Sequence, residues 1–449
     1  MIRDPENEIM SRAELEKLQL KRLQTKVREV YERVPFYQRN FKERGVLPDN
    51  IQTLADLRKL PFTDKLDLRD NYPYGLMAVP LEQVVRIHAS SGTTGKPVIA
   101  PYTVNDINTW AEVMARALAT GGVTRNDVLQ CAQGYGLFTG GLGFHYGAER
   151  LGATVIPSAT GNTKRQVRLL QDLGTTVIAC TPAYALSIYE TALGMGVNLR
   201  DTSLRLGLLG AEPWSEQMRN EIEEKLGILA VNSYGLTEVI GPGVSMECPN
   251  KCGMHIAEDH FLAEIIDPQT NEPLPYGEVG ELVITSLTKE AQPVIRFRTK
   301  DITSFDPAPC LCGRTMVRMS RVTGRTDDML VIRGVNVFPS QIESVLLDIG
   351  GVEPHYLIVV DRKNVFSSYE LEIWVEVSEA VFSDEIQKME KLGDKIRSEM
   401  DSVLGISAKI KLVEPMTIAR SETKAKRVVD RSEIEDRNNG IILKPGGRS

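Results

Sequence analysis

Alternation between strand-like and helix-like segments, from about residue 85 to about residue 240, most limits how this chain can fold. The apolar runs 175–180 and 204–210 have the length of buried strands. Segments with apolar residues at helical spacing precede the run 175–180 and follow the run 204–210. A further apolar run, 228–231, follows that second helix. Such alternation predicts a largely parallel sheet with crossover helices, in which ligands bind beyond the carboxyl ends of the strands.

The regions on either side have different patterns. Residues from about 10 to 75 carry an apolar stripe at helical spacing, and 256–320 alternates apolar and polar residues between Pro and Gly turns, as antiparallel strands do. We therefore expect an α/β fold, with a large multi-part N-terminal domain of mostly parallel sheets and a β-rich subdomain, plus a small α+β C-terminal domain. The expected limits are 1–80 for a helical N-terminal segment packed on the large domain, 81–326 for the body of that domain and 328–435 for the C-terminal domain.

Charge and polarity exclude several classes of protein. The 449 residues include 53 Lys and Arg against 60 Asp and Glu, a net charge of −7, which argues against a generic nucleic-acid-binding protein. No apolar run could span a bilayer, the first residues lack the apolar core of a secretory signal, and six cysteines are too few for a disulfide scaffold in a chain of this length. We expect a cytoplasmic protein with no nucleic-acid or membrane partner.

The stretch richest in anion-binding residues follows a strand-like run that ends at Ala89. Its glycines let backbone N–H groups approach an anion, its Ser and Thr side chains add donors, and its Lys adds a positive charge. This combination suits a polyphosphate, although solvated surface turns have a similar composition. It is not a P-loop, because no hydroxyl residue follows the lysine and only two residues separate the glycines. The candidate phosphate ligands are Ser90, Ser91, Gly92, Thr93, Thr94, Gly95 and Lys96.

Three more polar motifs follow in order along the chain. The motif 233–238 lies at the end of the predicted strand 228–232. In it, the ring of Tyr234 can stack on a base, and Glu238 can hold Mg²⁺ beside phosphates. Asp301 could accept hydrogen bonds from ribose hydroxyls, and Arg325 could contact ribose or phosphate. Each motif alone could be an ordinary polar turn. Their joint order and spacing favour a nucleotide site.

In this order and spacing, the four motifs resemble the signature motifs of the acyl-adenylate-forming superfamily, which includes the acyl-CoA synthetases. The segments 133–141, 210–214 and 332–340 resemble in particular those of the phenylacetate–coenzyme A ligase family. The resemblance implies an ATP- and acid-binding adenylation domain followed by a small mobile C-terminal domain. It also implies two half-reactions: a carboxylate attacks the α-phosphate of Mg-ATP to give acyl-AMP and pyrophosphate, and the thiol of coenzyme A then displaces AMP.

The resemblance also implies a role for each motif residue. Thr237 would meet the α-phosphate and Glu238 the magnesium ion, while the loop from Ser90 to Lys96 would hold the β- and γ-phosphates. Asp301 would hold the ribose with help from Arg325. The remaining implied positions are Gly210, Ala211, Glu212 and Pro213 around the adenine, Ser233, Tyr234 and Gly235 against its face, Asp327 at the hinge, and Arg333, Gly334 and Val335 facing coenzyme A.

Two positions depart from the superfamily pattern. Lys300 stands where the superfamily usually has Gly, although the phenylacetate branch often carries a basic residue there. Near the C-terminus, 420–427 resembles the segment that bears the catalytic lysine, with Thr423 in place of the usual preceding Gly. The resemblance makes Lys424 the catalytic lysine, with Lys426 as the alternative.

The resemblance places the acid pocket on segments that combine aromatic residues with glycines. Glycines leave room and aromatic rings give an apolar wall, which favours an aryl or arylacetic acid. The alternatives are another aryl acid such as indoleacetate, a carrier-protein thiol in place of coenzyme A and, more remotely, a non-catalytic nucleotide-binding protein. A homodimer is expected from the resemblance alone. The implied pocket residues are Tyr135, Gly136, Phe138, Gly140, Gly141 and Trp214.

Two short clusters of metal-binding residues lie about 55 residues apart. Cys248, Cys252 and His255 form the first cluster, and Cys310 and Cys312 form the second. Structural zinc takes four such ligands in short-spaced groups joined by a longer loop. Ordinary turn cysteines or a disulfide are the alternatives. We expect a structural zinc site held by Cys248, His255, Cys310 and Cys312, with Cys252 as an alternate ligand.

Overall fold

The computed structural model describes residues 1–90, 97–332, 335–360, 371–382, 386–422, 424–431, 434–437 and 440–443. Its α-helices are α1 (Pro5–Glu8), α2 (Arg12–Arg33), α3 (Pro35–Glu43), α4 (Lys65–Asp70), α5 (Val104–Thr120), α6 (Gly140–Leu151), α7 (Thr163–Asp172), α8 (Pro182–Gly194), α9 (Glu216–Leu226), α10 (Pro339–Leu347), α11 (Glu379–Phe382) and α12 (Ile386–Leu404). Short 3₁₀ helices occur at Pro48–Asn50, Leu54–Lys59, Leu81–Gln83 and Leu199–Asp201.

Among the residues described, the β-strands outnumber the helices, and most of them are shorter. The first twelve are β1 (Arg86–Ala89), β2 (Ile99–Tyr102), β3 (Val128–Cys131), β4 (Thr154–Ile156), β5 (Val177–Cys180), β6 (Leu206–Gly210), β7 (Leu229–Leu236), β8 (Gly241–Glu247), β9 (Met254–Ile256), β10 (Phe261–Ile266), β11 (Gly280–Ser286) and β12 (Phe297–Thr303). The others are β13 (Phe305–Asp306), β14 (Arg318–Met319), β15 (Gly324–Arg325), β16 (Leu330–Ile332), β17 (Val335–Val337), β18 (Val352–Val360), β19 (Glu372–Val377), β20 (Lys409–Val413), β21 (Val428–Asp430), β22 (Ile434–Arg437) and β23 (Gly440–Leu443).

The chain divides into two compact units. Unit 1 comprises Met1–Cys180, Ala192–Ala211 and Gly227–Arg321, and unit 2 comprises Thr181–Thr191, Glu212–Leu226 and Val322–Ser449. The domain limits expected from the sequence stay a prediction.

A nine-stranded mixed sheet forms the centre of unit 1, with the strand order β13-β14-β9-β8-β7-β6-β5-β3-β4. The run from β4 to β7 is parallel, and β8, β9, β14 and β13 continue it antiparallel. Every residue of β5 and β6 is buried, which accounts for their unbroken apolar sequences. The α/β class expected from the alternation of segments is confirmed, since the predicted strands at 175–180, 204–210 and 228–231 correspond to β5, β6 and the first part of β7.

Two smaller sheets of unit 1 are antiparallel. β1 and β2 form a hairpin in register Arg86 with Tyr102, and β10, β11 and β12 pair in sequence order. The second confirms the antiparallel pattern predicted for 256–320. The first places the predicted phosphate loop between the two strands of an antiparallel hairpin, so this loop does not follow a strand of the parallel sheet.

Unit 2 contains a four-stranded sheet in the order β20-β19-β18-β21. β18 and β19 are antiparallel, whereas β20 and β21 each pair parallel to their neighbour. Fully buried side chains such as Ile342, Ile358, Ile373, Ile396 and Met400 join α10, α12 and the sheet into one core. Burial of each such side chain stabilises the fold by roughly 1.5–3 kcal/mol.

Among the residues described, no helix has both the length and the apolar character needed to cross a bilayer.

Candidate active site

The residues at the start of the predicted phosphate loop lie against the predicted acid-pocket segment. The backbone N–H of Ala89 donates to the carbonyl of Leu137 at 2.8 Å, and Nδ1 of His88 lies 3.1 Å from the same oxygen. Ser90 closes the loop by donating its N–H to the Val98 carbonyl at 2.8 Å. The rest of the loop, Ser91, Gly92, Thr93, Thr94, Gly95 and Lys96, lies outside the described residues.

Two glycines determine where the aromatic rings of the acid-pocket segment can sit. A Cβ on Gly141 would lie 2.6 Å from the Tyr135 ring, and one on Gly140 would lie 2.9 Å from the Phe138 ring. Both rings therefore pack directly on backbone that has no side chain. The Tyr135 hydroxyl lies 3.3 Å from Nδ1 of His145, and burial raises the pKa of Tyr135. The structure thus brings together the predicted pocket residues Tyr135, Gly136, Phe138, Gly140 and Gly141.

The same segment reaches the residues expected to meet the α-phosphate and the magnesium ion. The hydroxyl oxygens of Thr139 and Thr237 lie 3.1 Å apart, and both side chains are buried. Glu238 is buried as well, and the ammonium of Lys65 lies 3.5 Å from its Oε1. Sequence reasoning missed Lys65, because no motif links α4 to a carboxylate so distant in the chain.

A hydrogen bond joins the predicted base-stacking and ribose-binding residues. The hydroxyl of Tyr234 donates to Oδ2 of Asp301 at 2.6 Å, across β7 and β12. Gly210, at the end of β6, packs closely on β7, since a Cβ there would be 2.1 Å from the carbonyl of Ser233. The next residue, Ala211, has φ +71°, a backbone region that favours glycine. A phenol and a carboxylate from two sheets therefore meet next to the point where β6 and β7 pack closely.

Strand β7 extends further than the sequence predicted. We placed Ser233, Tyr234 and Gly235 after the end of a strand, which is wrong, because β7 continues to Leu236 through antiparallel pairing with β8. Only Thr237 and Glu238 follow the strand. Lys300 has φ +68°, which gives a physical reason why glycine is the usual residue at this position.

In unit 2, a carboxylate anchors the backbone beside the predicted catalytic lysine. The half-buried Glu212 accepts hydrogen bonds from the N–H of Ala183 at 3.0 Å and of Ala425 at 2.8 Å. Loss of water contact raises the pKa of Glu212, and the charge of nearby Arg427 opposes this rise. The Ser421 hydroxyl donates to the Lys424 carbonyl at 2.8 Å. Sequence reasoning expected Glu212 near adenine and missed this anchoring contact.

The lysine loop borders a basic cavity of about 230 Å³. Lys424 and Lys426 are both exposed, and both line the cavity. Because the cavity has several positive groups, it is suited to anions. The basic side chains that line it are His355, Arg420, Lys424, Lys426 and Arg427. Thr423 lies outside the described residues.

A carboxylate cluster fixes the base of this loop. Glu190 accepts from Nε of Arg420 at 2.7 Å and lies 2.7 Å from Nε2 of His355, and Arg420 also donates to Glu376 at 2.9 Å. Burial alone would raise the pKa of Glu190, but hydrogen bonds and charges of His355 and Arg420 lower it to about 2. The loop is therefore attached to the core of unit 2 by charge-assisted hydrogen bonds.

The other predicted residues of unit 2 are more scattered. Nε and Nη2 of Arg325 lie 2.9 and 3.0 Å from the carboxylate of Asp327, the predicted hinge residue. Trp214 is buried, with the guanidinium carbon of Arg219 4.9 Å from its ring centroid. Pro213 precedes it, and Val335 begins β17, whereas Arg333 and Gly334 lie outside the described residues.

The two cysteine clusters meet in unit 1. One ligand atom from each of Cys248, His255, Cys310 and Cys312 lies within 4.8 Å of all the others. Sγ of Cys248 and Sγ of Cys310 are 3.7 Å apart, and Sγ of Cys312 is 3.3 Å from Nε2 of His255. Sγ of the exposed Cys252 lies 3.5 Å from that of Cys310.

Protonation equilibria in this cluster follow from its burial and its mutual hydrogen bonds. Burial and the charges of Arg314 and Arg318 lower the pKa of His255 to about 4, which keeps the imidazole neutral near pH 7. Burial raises the pKa of Cys248 to about 12. Burial works in the same direction on Cys310, but hydrogen bonds from Cys312, Cys252 and Cys248 outweigh it and lower its pKa to about 7.

Comparison with known proteins agrees with this arrangement of motifs. The family model for AMP-binding enzymes matches residues 12–288, and that for the AMP-binding enzyme C-terminal domain matches 334–432. A phenylacetate–coenzyme A ligase of Thermus thermophilus is 50% identical over 442 residues, covering 96% of this chain and 99% of the relative. One of Escherichia coli is 50% identical over 423 residues, covering 94% and 96%.

Solved structures give the same result at lower identity. The structure of 2-hydroxyisobutyryl-CoA ligase in complex with 2-HIB-AMP superposes with a TM-score of 0.90 at 31% identity, over 95% of this chain and 92% of that one. The chain therefore belongs to the phenylacetate–coenzyme A ligase family, and it is an ATP-dependent, AMP-forming acid–coenzyme A ligase.

Proposed function

We propose that the acid substrate is phenylacetate or a close arylacetic acid. The observation that carries the proposal is the packing of the Tyr135 and Phe138 rings on the bare backbone of Gly140 and Gly141. The two rings offer an apolar wall to an aryl substrate, beside the hydrogen-bonded pair of Thr139 and Thr237. The relatives that share half of the sequence are named for phenylacetate, which agrees with such a pocket.

In the proposed adenylation step, the acid carboxylate attacks the α-phosphate of ATP and expels pyrophosphate. The loop from Ser90 to Lys96 binds the β- and γ-phosphates, and Thr237 donates to the α-phosphate as charge develops there. Asp301 accepts from the ribose hydroxyls, oriented by its hydrogen bond from Tyr234. Glu238 holds Mg²⁺, which neutralises phosphate charge when bound. The ammonium of Lys424 supplies positive charge for this step.

In the proposed second step, the thiol of coenzyme A attacks the acyl-AMP carbonyl and AMP leaves. Asp327 is the hinge at which the C-terminal unit changes position between the steps. The segment that begins at Arg333, with Gly334 and Val335, then faces coenzyme A. One experiment can test both the identity of the acid substrate and the role of coenzyme A as the acceptor.

The decisive experiment is a substrate panel with full product analysis. Protein, Mg-ATP and coenzyme A are incubated with phenylacetate, indoleacetate, 4-hydroxyphenylacetate, benzoate or butyrate, and AMP and acyl-CoA are measured by liquid chromatography. We expect equal amounts of AMP and thioester, with phenylacetate giving the highest kcat/KM. Higher kcat/KM for butyrate would refute the aryl pocket, and AMP without thioester would refute coenzyme A as the acceptor.

A matched variant ties the result to the pocket wall. Gly141→Ala adds a Cβ 2.6 Å from the Tyr135 ring and 2.7 Å from the Gly134 carbonyl oxygen, so both the ring and the backbone of this pocket segment must move. We expect a higher KM for phenylacetate and an unchanged KM for ATP. Gly136→Ala is not a suitable control, because the positive φ of Gly136 strains any side chain there. Gly350→Ala is suitable, since nothing lies within 4 Å of its added Cβ.

We also propose that Cys248, His255, Cys310 and Cys312 hold a structural zinc ion. Three thiol groups and a neutral imidazole, with ligand atoms all within 4.8 Å of one another, are a ligand set of the type that structural zinc binds. Four protein ligands leave no open position, so the ion would link the β8–β9 turn to the loop at Cys310 without a chemical role. Elemental analysis of protein purified without chelator should find about one zinc per chain.

We further propose a cytoplasmic homodimer. ATP and coenzyme A are cytoplasmic metabolites, which supports the location, and the dimer rests on the family resemblance. Light scattering at micromolar concentration tests the dimer, and the mass of a single chain would refute it.

A further inference from the structure

The fifth sulfur of the cysteine cluster lies outside the four-ligand set. Cys252 is exposed in the turn between β8 and β9, whereas Cys248 and Cys310 are buried. Its Sγ lies 3.5 Å from Sγ of Cys310, which is closer than the 3.7 Å between Cys248 and Cys310. A zinc ion with four protein ligands has no position for this sulfur. An accessible thiol therefore contacts one of the proposed zinc ligands.

We propose that Cys252 makes the site sensitive to oxidation: a peroxide joins Cys252 to Cys310 as a disulfide, and the zinc ion leaves. The proposal rests on the zinc site proposed above. It goes beyond that site because it assigns a role to Cys252, which is not a zinc ligand, and a reaction that removes the ligand Cys310.

The chemistry needs one peroxide for each disulfide. The Cys252 thiolate attacks a peroxide oxygen, the O–O bond breaks, and a sulfenic acid forms as hydroxide leaves. The Cys310 thiolate then attacks the Cys252 sulfur, the S–S bond forms, and a second hydroxide leaves. Two thiols thus lose two electrons, and with two protons the peroxide becomes two waters. Zinc keeps three of its four ligands, too few for a closed structural site.

The turn holds Cys252 in position for this reaction. Lys251 and Gly253, on either side, have φ of +52° and +101°, and the N–H of Lys251 donates to the Cys248 carbonyl at 2.9 Å. The Cys252 carbonyl accepts from the Arg318 guanidinium at 2.6 Å. A disulfide requires the two sulfurs to approach by about 1.5 Å from their present distance, which rotation of the exposed side chain can supply.

The test measures zinc release and disulfide position in the same sample. Reduced, zinc-loaded protein is treated with hydrogen peroxide, released zinc is followed with a chromogenic chelator, and cysteines are mapped by peptide mass spectrometry. We expect zinc release together with a Cys252–Cys310 disulfide, and recovery of bound zinc after dithiothreitol and added Zn²⁺. Cys252→Ser should keep its zinc and release it about tenfold more slowly, because the remaining thiols are less accessible.

Cys180→Ala, which removes a buried thiol of β5 outside the cluster, is the matched control and should release zinc like the wild type. Equal release rates in wild type and Cys252→Ser would overturn the proposal, as would a disulfide between Cys248 and Cys310. Loss of zinc from reduced Cys252→Ser would also overturn it, by making Cys252 a ligand. Wild-type protein without zinc would instead refute the zinc site itself.

Discussion

Replacing Glu212 by Gln tests whether this carboxylate positions the loop that carries Lys424. The two backbone N–H groups it accepts from, at Ala183 and Ala425, point at separate carboxylate oxygens. Glutamine has nearly the same shape, but its amide has one acceptor oxygen and an NH₂ group that cannot accept. One of the two N–H groups must therefore lose its partner, so the attachment of Ala425 to α8 through this side chain is broken.

The size of the effect follows from the type of hydrogen bond that is lost. A hydrogen bond to a charged group contributes about 1.5–3 kcal/mol, and the half-buried position of Glu212 favours the lower end, because water can replace part of it. At about 1.4 kcal/mol per factor of ten, the seated loop becomes roughly tenfold less populated. If Lys424 acts only from the seated loop, the adenylation rate falls by a similar factor.

The assay separates the two half-reactions. Adenylation is followed as acid-dependent pyrophosphate release, and thioester formation is followed from supplied acyl-AMP and coenzyme A. We expect Glu212→Gln to lower kcat for adenylation about tenfold and to leave thioester formation within about twofold, since the lost contact belongs to one conformation of the loop. Glu224→Gln, an exposed position on α9, is the matched control. A higher KM for ATP with unchanged kcat would refute loop positioning and return Glu212 to the nucleotide.

Four further predictions concern the lysine, the hinge, the metal cluster and acid stability. Lys424→Ala should abolish adenylation yet spare thioester formation from acyl-AMP, and full activity would transfer the role to Lys426. Asp327→Pro should slow the thioester step more than adenylation because proline fixes φ, and an unchanged second step would place the hinge elsewhere. Cys310→Ser should lose zinc and lower the melting temperature by several degrees before it changes kcat; equal melting temperatures would contradict a structural ion. The pKa of Glu190, lowered from 4.5 to about 2, predicts that this carboxylate stabilises the fold by up to about 3 kcal/mol, fully above about pH 4.5 and less as the pH falls towards 2. Glu190→Gln should therefore flatten the acid unfolding curve followed by circular dichroism. An unaltered curve would show that the Glu190 carboxylate does not cause the loss of stability in acid.

The secondary structure could be predicted well where apolar runs were short and clearly bounded. The run 175–180 corresponds to the strand Val177–Cys180, and the helix indicated after the run 204–210 corresponds to Glu216–Leu226. Such runs have few alternatives, because a fully buried strand must be apolar along its whole length. The error at 233–235 arose where the sequence turns polar inside a strand. Antiparallel pairing with β8, which follows after a short connection, extends the strand through these polar residues, and their sequence did not indicate it.

The site residues divide in a similar way. Sequence motifs identified Tyr234 and Asp301 as candidate site residues. A contact between them could be expected only once the family resemblance had assigned both to the nucleotide, and the structure shows it as a hydrogen bond. Lys65 and Glu212 carry no motif of their own. Each is important because of a partner that is remote in the chain: Lys65 contacts Glu238, and Glu212 accepts from Ala425. The sequence alone therefore gave no indication of either contact.

The cysteine cluster could be predicted more completely than the nucleotide site because of how its residues are distributed. Each half is a short turn in which neighbouring ligands are already close, so a single meeting of two turns assembles the whole set. The nucleotide site instead needs several independent strands and loops to converge, and each adds a contact that local sequence does not specify. Spacing could not determine the place of Cys252, which is as near in sequence as the ligands are and differs from Cys248 and Cys310 in being exposed. Such an extra thiol keeps its reactivity, since no metal position is left to occupy it.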